Sequence, residues 1–539
     1  MKKIFLALIV VFLTTIVSGA ADIVKDTCQT PVSTTEGAVI GAPENGGAVC
    51  AYKGIPYAAP PVGNLRWRAP EPPKKRDAAL NADEFGPECS QIEMAPAYLR
   101  IGKKPNRKED CLYLNIWRPK KSGTYPVMFW IHGGSLTSGT GSDPMYWGDR
   151  IAAKKDVVLV SINYRLGALG FLAHRNLSAE DSHRSSGNYG LLDQVQALKW
   201  VKQNIANFGG DPNNVTIFGE SAGGWSVCMH LASPLSAGLF QRAILESGGC
   251  DTTRTMEQGF SNGDTIAANM GCSGQDVVSC MRAKTADQVV ASMKTRREAT
   301  GEFLTLKFWD HVWAPHEDGW FLKETPIKTI RNGNYNKVSF MVGSNRDEAR
   351  LFAAENKISY RRTKESKVVA AILKSLGKEL FPMFEKLYPF DNYDRAIDAF
   401  VDAKGDIMLG CKCFDAADGT AAYQPTYYYR FDYDENRAPH ILGAAHAVEI
   451  PFIFDSLDRS FFKLLYSKSQ RKKARPLVES VMSYWTNFAK TGNPNGPGLT
   501  QWPPYDGKSR TRMFLDLPLH VGTTDNIERC EFWRKQDTR

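Results

Sequence analysis

The 539-residue sequence contains none of the short motifs that most often bind metal ions or nucleotides. It has no H-E-x-x-H and no C-x-x-C pair, so neither a zinc site nor a thioredoxin-type redox pair is indicated. A G-x-x-x-x-G-K-[ST] loop and a G-x-G-x-x-G fingerprint are absent too, which removes the usual signals of a nucleotide. We therefore expect a protein that works without a metal and without a cofactor.

Long apolar runs are equally scarce. The one candidate covers residues 4–17, between Lys2-Lys3 and the small residues 18–20. A positive start, an apolar stretch and a small-x-small ending are typical of a secretory signal peptide, and the run is too short to span a bilayer comfortably. We predict a signal peptide over residues 1–20, no stable membrane span, and a mature chain that is secreted or periplasmic.

Charge of one sign is not concentrated in any long tract, although the formal net charge is +9. The densest basic cluster is KSQRKKAR, at residues 468–475. A helix face in contact with solvent is the simpler interpretation of this cluster, and a nucleic-acid or membrane patch is the alternative. We expect no nucleic-acid partner, and the sequence leaves the oligomeric state open.

Cysteine, in contrast, is well represented. Eleven cysteines suit an oxidising compartment, and the odd number leaves at least one thiol unpaired. Cys228 lies in an apolar run and is predicted to be a buried free thiol. Short spacings suggest three closed loops: Cys28–Cys50, Cys89–Cys111 and Cys272–Cys280. The pairing of the other cysteines does not follow from their spacing.

Compact apolar runs alternate with helical patterns through much of the chain. The helical pattern is clearest at 188–210, where an amphipathic helix is predicted to stop at Gly209-Gly210. Strands that alternate with helices predict an α/β fold with a large, mostly parallel central sheet flanked by helices. The predicted strands lie at residues 127–134, 156–164, 214–218, 243–247, 338–345 and 426–433.

One of these strands leads directly into G-E-S-A-G, residues 219–223, and then into a helical run. In that position a G-x-S-x-G pattern predicts a sharp turn that raises the Ser221 hydroxyl above the end of the sheet. Glycines 219 and 223 avoid Cβ collisions there, and the Ala222 amide at the helix N-terminus can stabilise an oxyanion. The pattern favours a nucleophile over an ordinary strand-to-helix turn.

Further amide donors are expected from the small residues of WIHGGSLTSG, at 130–139, which follow another predicted strand. Consecutive small residues allow consecutive backbone N–H groups to point at one oxygen. We predict Gly134 and Ser135 as the other two donors of an oxyanion hole. A flexible turn without this role is the alternative.

A serine nucleophile also needs an acid and a histidine, and in the fold that has this strand-turn-helix pattern they follow the serine along the chain in that order. Asp347 and Glu348 come just after a predicted strand, where the acid belongs, and the pattern favours Glu348 only slightly. His446 lies among small residues before an apolar run, whereas His440 follows a proline and fits a surface turn. In such a triad Ser221 attacks a carbonyl, the histidine transfers its proton, and the carboxylate stabilises the imidazolium.

Long segments around these motifs carry a wider resemblance. They are YKGIPYAAPPVGNLRWRAPEPP (52–73), EDCLYLNIW (109–117), WIHGG (130–134), NYRLGALGFL (163–172), GNYGLLDQVQALKWVKQNIANFGGDPNNVTIFGESAGG (187–224), NRDEA (345–349), GAAHAVEIPFIF (443–454) and FAKTGNPN (488–495). They resemble the type-B carboxylesterase/cholinesterase family of α/β-hydrolases. The resemblance covers essentially all of the mature chain and implies the α/β-hydrolase fold.

The resemblance also implies roles for single residues. Glu348 matches the family's acid and His446 its base, and Ser247 matches a serine that helps to fix the acid. His311 and Trp313 resemble acyl-pocket positions, with core packing as the alternative for Trp313. The family's disulfides match Cys89–Cys111 and Cys272–Cys280, and a third would join Cys411 or Cys413 to Cys530.

Two departures from the family pattern bear on function. Ser135 stands where the family has a third glycine, but only its backbone N–H is needed, so the oxyanion hole is expected to survive. Cholinesterases carry a tryptophan between the cysteines of the first disulfide, which stacks on quaternary ammonium groups. Residues 90–110 contain no tryptophan, which argues against choline esters as the substrate.

We therefore predict a signal peptide at 1–20 and one α/β-hydrolase domain over residues 21–539, because a boundary between residues 133 and 446 would divide the site. Insertions are expected to form a gorge or lid, with the lid around residues 270–330 and a helical region at 355–410. The predicted function is a secreted serine carboxylesterase that hydrolyses small-molecule esters through an acyl-enzyme. A catalytically silent adhesion module, or a hydrolase of amides or thioesters, is the alternative. Sequons at Asn176 and Asn214 leave glycosylation open.

Overall fold

The computed structural model describes residues 28–92, 105–293, 303–306, 313–356, 358 and 362–536. The predicted signal peptide and His311 lie outside these ranges. An eleven-stranded sheet runs through the described part of the chain. Numbered in chain order, its strands are β1 (Ala42–Glu44), β2 (Val49–Pro56), β3 (Tyr113–Pro119), β4 (Tyr125–Ile131), β5 (Val158–Ile162), β6 (Gly210–Glu220), β7 (Arg242–Glu246), β8 (Ser339–Asn345), β9 (Thr426–Phe431), β10 (Thr511–Leu515) and β11 (His520–Thr523).

The strand order is β11-β10-β9-β8-β7-β6-β4-β5-β3-β2-β1. The six neighbouring pairs from β10 to β5 are parallel, and the four outer pairs are antiparallel. This confirms the predicted mostly parallel sheet. Because the carboxyl ends of parallel strands meet at one edge, the loops after β4, β6, β7 and β8 lie side by side, at the edge where α/β sheets bind their ligands.

Helices connect and cover these strands. The segment between β7 and β8, and that between β8 and β9, are long and contain several helices, in the regions where insertions were predicted. The α-helices are Asp149–Lys155, Gly167–Phe171, Arg175–Glu180, Tyr189–Asn204, Ala222–Ala232, Met256–Asn269, Val277–Arg282, Ala286–Ser292, Pro326–Arg331, Ala349–Glu355, Glu365–Leu376, Phe381–Leu387, Ala396–Gly405, Cys411–Ala421, Ile450–Ile453, Phe462–Leu465, Lys468–Lys473, Arg475–Thr491 and Ile527–Gln536. None of the helices in the described ranges combines the length and the apolar character that a membrane crossing requires.

The core lies on both faces of the sheet. Alternate side chains of β4 point to opposite faces, so that Val127, Phe129 and Ile131 belong to one buried apolar cluster and Met128 and Trp130 to the other. Strands that are buried on both faces consist of continuous apolar residues, and this pattern allowed them to be predicted from the sequence.

The helix Tyr189–Asn204 differs from its prediction in one respect. It ends as expected, through a short 3-10 turn at Ile205–Phe208 and Gly209 with φ 75°. It is buried on most sides rather than amphipathic, because its polar residue Asp193 pairs inside the protein with Arg165, with 2.6 Å between Oδ1 and Nη2.

Five disulfides are present: Cys28–Cys50, Cys89–Cys111, Cys228–Cys250, Cys272–Cys280 and Cys411–Cys530. The expectation of a free thiol at Cys228 was wrong. The helix Ala222–Ala232 packs against the end of β7, and this brings Cys228 next to Cys250. The buried free cysteine within the described residues is Cys413.

Candidate active site

Ser221 occupies the turn between β6 and the helix Ala222–Ala232. Its backbone has φ 59° and ψ −121°, a conformation that costs energy for a residue with a side chain and that recurs at functional sites. The Ser221 amide donates a 2.9 Å hydrogen bond to the Glu246 carbonyl at the end of β7, and this bond holds the turn. The residue is 8% exposed, so it lies at the carboxyl edge of the sheet with narrow access to solvent.

The glycines on either side of this turn are required by the space around them. A Cβ on Gly219 would lie 2.5 Å from the carbonyl oxygen of Ile131, and a Cβ on Gly223 would lie 2.0 Å from the same atom. Both positions therefore press against the end of β4. The G-x-S-x-G pattern follows from this packing as well as from the chemistry of its serine.

His446 and Glu348 form a direct pair at the same edge. The distance between His446 Nδ1 and Glu348 Oε2 is 2.7 Å, and both residues are buried. The other carboxylate oxygen, Oε1, accepts a 2.7 Å hydrogen bond from the Asn345 amide at the end of β8. On the opposite side of the ring, His446 Nε2 lies 3.0 Å from Glu220 Oε1. The imidazole thus faces the residue next to Ser221; within the described residues its Nε2 is not hydrogen-bonded to Ser221 Oγ.

The two adjacent candidate acids have different partners. Asp347 Oδ2 accepts a 2.8 Å hydrogen bond from the Ala444 amide, and the Asp347 amide donates a 3.0 Å bond to the Ala444 carbonyl. Arg346 and Arg350 pair with the same carboxylate. Asp347 therefore fastens the loop that carries the histidine, whereas Glu348 contacts the histidine itself. The other candidate histidine, His440, is exposed.

The loop after β4 lies against the Ser221 turn. A Cβ on Gly133 would lie 3.0 Å from Ser221 Cβ. Gly134 and Ser135 follow with φ values of 107° and 55°, and the Gly134 carbonyl accepts 3.0 Å hydrogen bonds from the amides of residues 137 and 138. The amides of Gly134 and Ser135 themselves have no acceptor in the described part of the chain. Two free N–H donors therefore lie close to the serine.

Comparison with known proteins agrees with this geometry. The model of the carboxylesterase family matches residues 28–533. The chain belongs to the carboxylesterase family.

Individual relatives match over nearly their whole length. The para-nitrobenzyl esterase of Bacillus subtilis is 36% identical over 92% of this chain and 97% of its own. The human cocaine esterase is 34% identical over 94% of this chain and 91% of its own. A solved structure of a PNB esterase has a TM-score of 0.79 at 35% identity and covers 94% of this chain and 100% of that one. The predicted family and the α/β-hydrolase fold are confirmed, and this esterase is a carboxylic ester hydrolase.

Two buried glutamates lie beside His446 and its loop in this esterase, and the sequence analysis did not predict either of them. Glu220 is the last residue of β6 and contacts His446. Glu449 follows His446 by three positions, and its Oε2 accepts a 2.5 Å hydrogen bond from Asn345 Nδ2. Their positions in the sequence could have indicated them, because Glu220 immediately precedes Ser221 and Glu449 lies in the loop that carries His446.

These carboxyl groups change the proton affinity of the site. Burial raises the pKa of Glu220, the nearby imidazole opposes this, and Glu449 and Glu348 add to it. Burial alone would lower the pKa of His446, but Glu220 and then Glu348 raise it above its ordinary value. A proton on Glu220 removes the charge that raises the pKa of His446. Glu220 Oε1 has no hydrogen-bond partner among the described residues, so the two groups interact through their charges across 3.0 Å. Burial also raises the pKa of Glu449, to about 7.

Ser247 is not bonded to the acid as the resemblance implied. It is fully buried at the end of β7, and its hydroxyl has no hydrogen-bond partner among the described residues. Its amide donates a 2.8 Å bond to the Gly343 carbonyl of β8. The oxygens of Glu348 are bonded to His446 and to the Asn345 amide, so the acid is positioned by β8 itself.

The structure gives little support to the predicted acyl pocket or to a metal site. Trp313 is buried in one of the two apolar clusters, and His311 lies outside the described residues, so the pocket role of this pair stays a prediction. In the described part of the chain, the one group close enough to hold a metal ion comprises Asp406, Cys411 and Cys530. These two cysteines form a disulfide, so they offer no thiolate ligand.

Proposed function

We propose that this esterase cleaves carboxylic esters through an acyl-enzyme on Ser221. Ser221 Oγ attacks the ester carbonyl while His446 accepts its proton, and Glu348 stabilises the resulting imidazolium. The amides of Gly134, Ser135 and Ala222 bind the oxyanion. The alcohol leaves with the proton from His446. Water then attacks the acyl-enzyme with the same base and releases the carboxylic acid.

The bond between His446 Nδ1 and Glu348 Oε2 is the observation that carries this proposal. A proton held on Nδ1 by a carboxylate leaves Nε2 as the basic nitrogen. Nε2 lies 3.0 Å from Glu220, the neighbour of Ser221, and the loop that carries the unpaired amides of Gly134 and Ser135 approaches Ser221 at Gly133. This closeness supports the roles that we propose for the base, the nucleophile and the oxyanion donors.

We infer small organic esters as the substrate class. The relatives are named for para-nitrobenzyl esters and for cocaine. The lack of tryptophan at 90–110 removes the usual partner of a choline group. We expect a preference for short acyl chains, from acetate to butyrate.

We further propose that the chain is exported as a single hydrolase domain, residues 21–539, after loss of residues 1–20. Five disulfides suit an oxidising compartment outside the cytoplasm. Strands of one sheet are drawn from residue 42 to residue 523, which supports a single domain. Mass spectrometry of the exported protein gives the cleavage site directly.

A panel of p-nitrophenyl esters with graded acyl chains tests the function. Ser221→Ala is expected to lower turnover at least about 10³-fold, because the nucleophile is lost. Ser226→Ala is the matched control: it removes a buried hydroxyl on the same helix, bonded to the Ala222 carbonyl at 3.0 Å, and is expected to keep turnover within a few-fold. Turnover retained by Ser221→Ala would contradict the assignment of the nucleophile.

A further inference from the structure

Exposed large apolar side chains are concentrated in one segment of the chain. Ile441 is 51% exposed, Phe461 43% and Leu464 51%. They make up half of the strongly exposed large apolar side chains within the described residues. All three lie in the segment 441–464, which follows the strand β9 and contains the histidine loop.

Three contacts join the segments around these side chains into one surface. The Arg437 amide donates a 2.9 Å hydrogen bond to the Leu465 carbonyl. Arg471 Nη1 donates a 2.8 Å bond to the Tyr466 carbonyl. Lys473 Nζ lies 2.6 Å from Glu435 Oε1. The loop 435–441, the turn 461–466 and the helix Lys468–Lys473 are therefore neighbours.

Exposed basic side chains lie in these same three segments. The exposed members are Arg437, Lys463, Lys468, Lys472 and Lys473. Within the described ranges, only Lys473 of these has an acidic partner, Glu435. The acids that follow the histidine loop are already neutralised: Asp455 by Lys154 and Arg475, and Asp458 by Arg150. The basic cluster noted in the sequence thus lies near three exposed apolar side chains, Ile441, Phe461 and Leu464, which we call the apolar ridge. We name these three residues and the five basic residues the docking patch.

We propose that the docking patch binds an anionic phospholipid surface. Apolar side chains that enter the boundary between head groups and acyl chains, with lysines and arginines beside them for lipid phosphates, are the recurring composition of interfacial anchors. A nucleic acid would pair with the charges but leave the apolar ridge in water. The combination of both features therefore favours a lipid surface over a polyanion.

The patch adjoins the histidine loop. Ile441 precedes His446 by five positions, and Asn436 Nδ2 donates a 2.8 Å hydrogen bond to the Gly443 carbonyl between them. Docking would therefore hold the esterase at a surface where apolar esters dissolve, through the same loop that carries His446. Binding to lipid can be measured without turnover, so its outcome is independent of the role assigned to Ser221.

Co-sedimentation of the full chain with vesicles tests the proposal. We compare phosphatidylcholine alone with equal parts of phosphatidylcholine and phosphatidylglycerol, at low and high salt. Binding is expected only to the anionic vesicles. Each basic side chain near such a surface contributes about a fivefold increase in affinity, so reversing Lys463, Lys468 and Lys472 to Glu should weaken binding at least about 100-fold. Phe461→Ser with Leu464→Ser should weaken it about tenfold, through lost insertion.

The matched control reverses three exposed lysines of other segments, Lys74, Lys75 and Lys121, to Glu. It makes the same change in net charge and should weaken binding far less than the patch variant. All variants should keep turnover of a soluble p-nitrophenyl ester, which shows that they are folded. Equal losses in the patch and control variants would overturn the proposal. Binding that is insensitive to both patch variants, or that is stronger to an oligonucleotide than to the vesicles, would overturn it as well.

Discussion

The turn at Ser221 and the loop that carries His446 lie at the same edge of the sheet but are held in different ways. The turn is held by steric fit: two glycines press on the Ile131 carbonyl, and the backbone of Ser221 is strained. The loop is held by side chains from elsewhere in the chain, chiefly the carboxylate of Asp347 and the amide of Asn345.

The difference shows which kind of change each part tolerates. A steric turn is lost when one methyl group is added, because backbone atoms cannot move apart without opening the sheet. A loop held by hydrogen bonds loses its partners one at a time, and each bond contributes about 1 kcal/mol, or more where a charge is involved.

Gly223→Ala is expected to have the largest effect. Its Cβ would lie 2.0 Å from the Ile131 carbonyl oxygen, so that the turn cannot form without displacing β4. We expect a loss of about 3 kcal/mol or more in the free energy of unfolding, at the upper range for overpacking, and loss of turnover. Chemical denaturation and ester hydrolysis measure both. Gly507→Ala is the control, since its nearest neighbour would be 3.5 Å away, and it should be almost silent. A stable, active Gly223→Ala enzyme would refute the steric account.

Substitutions of the two adjacent acids, Glu348 and Asp347, should have different effects on turnover and stability. Glu348→Gln is expected to lower turnover about 10⁴-fold with little loss of stability, because an amide no longer holds the imidazole in the productive tautomer. Asp347→Asn weakens the bond to the Ala444 amide and two ion pairs, so it should lower the melting temperature and reduce turnover only about tenfold. A greater loss of turnover from Asp347→Asn would reverse the assignment of the acid.

Glu220→Gln should change the pH dependence. His446 acts as a base only when it is neutral, so turnover rises with pH through its pKa. Glu220 raises that pKa, and a neutral glutamine should move the acidic limb of the profile of kcat/KM to lower pH. Glu449→Gln, which contributes less to the same shift, is the matched control and should move the limb by a smaller amount. A limb that stays in place in Glu220→Gln would show that the contact between Oε1 and Nε2 does not govern the base.

Ser247→Ala is expected to have the smallest effect on turnover and stability. The hydroxyl is buried and has no hydrogen-bond partner within the described residues, so its removal leaves no new unsatisfied group. Turnover should stay within a few-fold and the free energy of unfolding within about 1 kcal/mol. A loss of more than about tenfold in turnover would restore the role implied by the family resemblance.

Much of the fold was predictable because strands of a parallel sheet that are buried on both faces have short, continuous apolar sequences. The runs at 127–134, 156–164 and 338–345 correspond to β4, β5 and β8, with ends that differ by a few residues. The turn at Ser221 was predictable for a related reason, since a strand, two glycines and a helix are contiguous in the chain. The partner of Cys228 was not, because its neighbour Cys250 is set by how a helix packs on the next strand.

The order of residues along the chain was enough to predict the sharp turn at Ser221, the mostly parallel sheet and the two candidate acids, Asp347 and Glu348. The packing of the folded chain was needed to show that Glu348 contacts His446 while Asp347 fastens its loop, and that Glu220 lies on the other side of the imidazole. The reason is the range of the contacts. A turn depends on neighbours along the chain, whereas the orientation of a buried side chain depends on the positions of all the elements that surround it, and these exist only after the sheet has assembled.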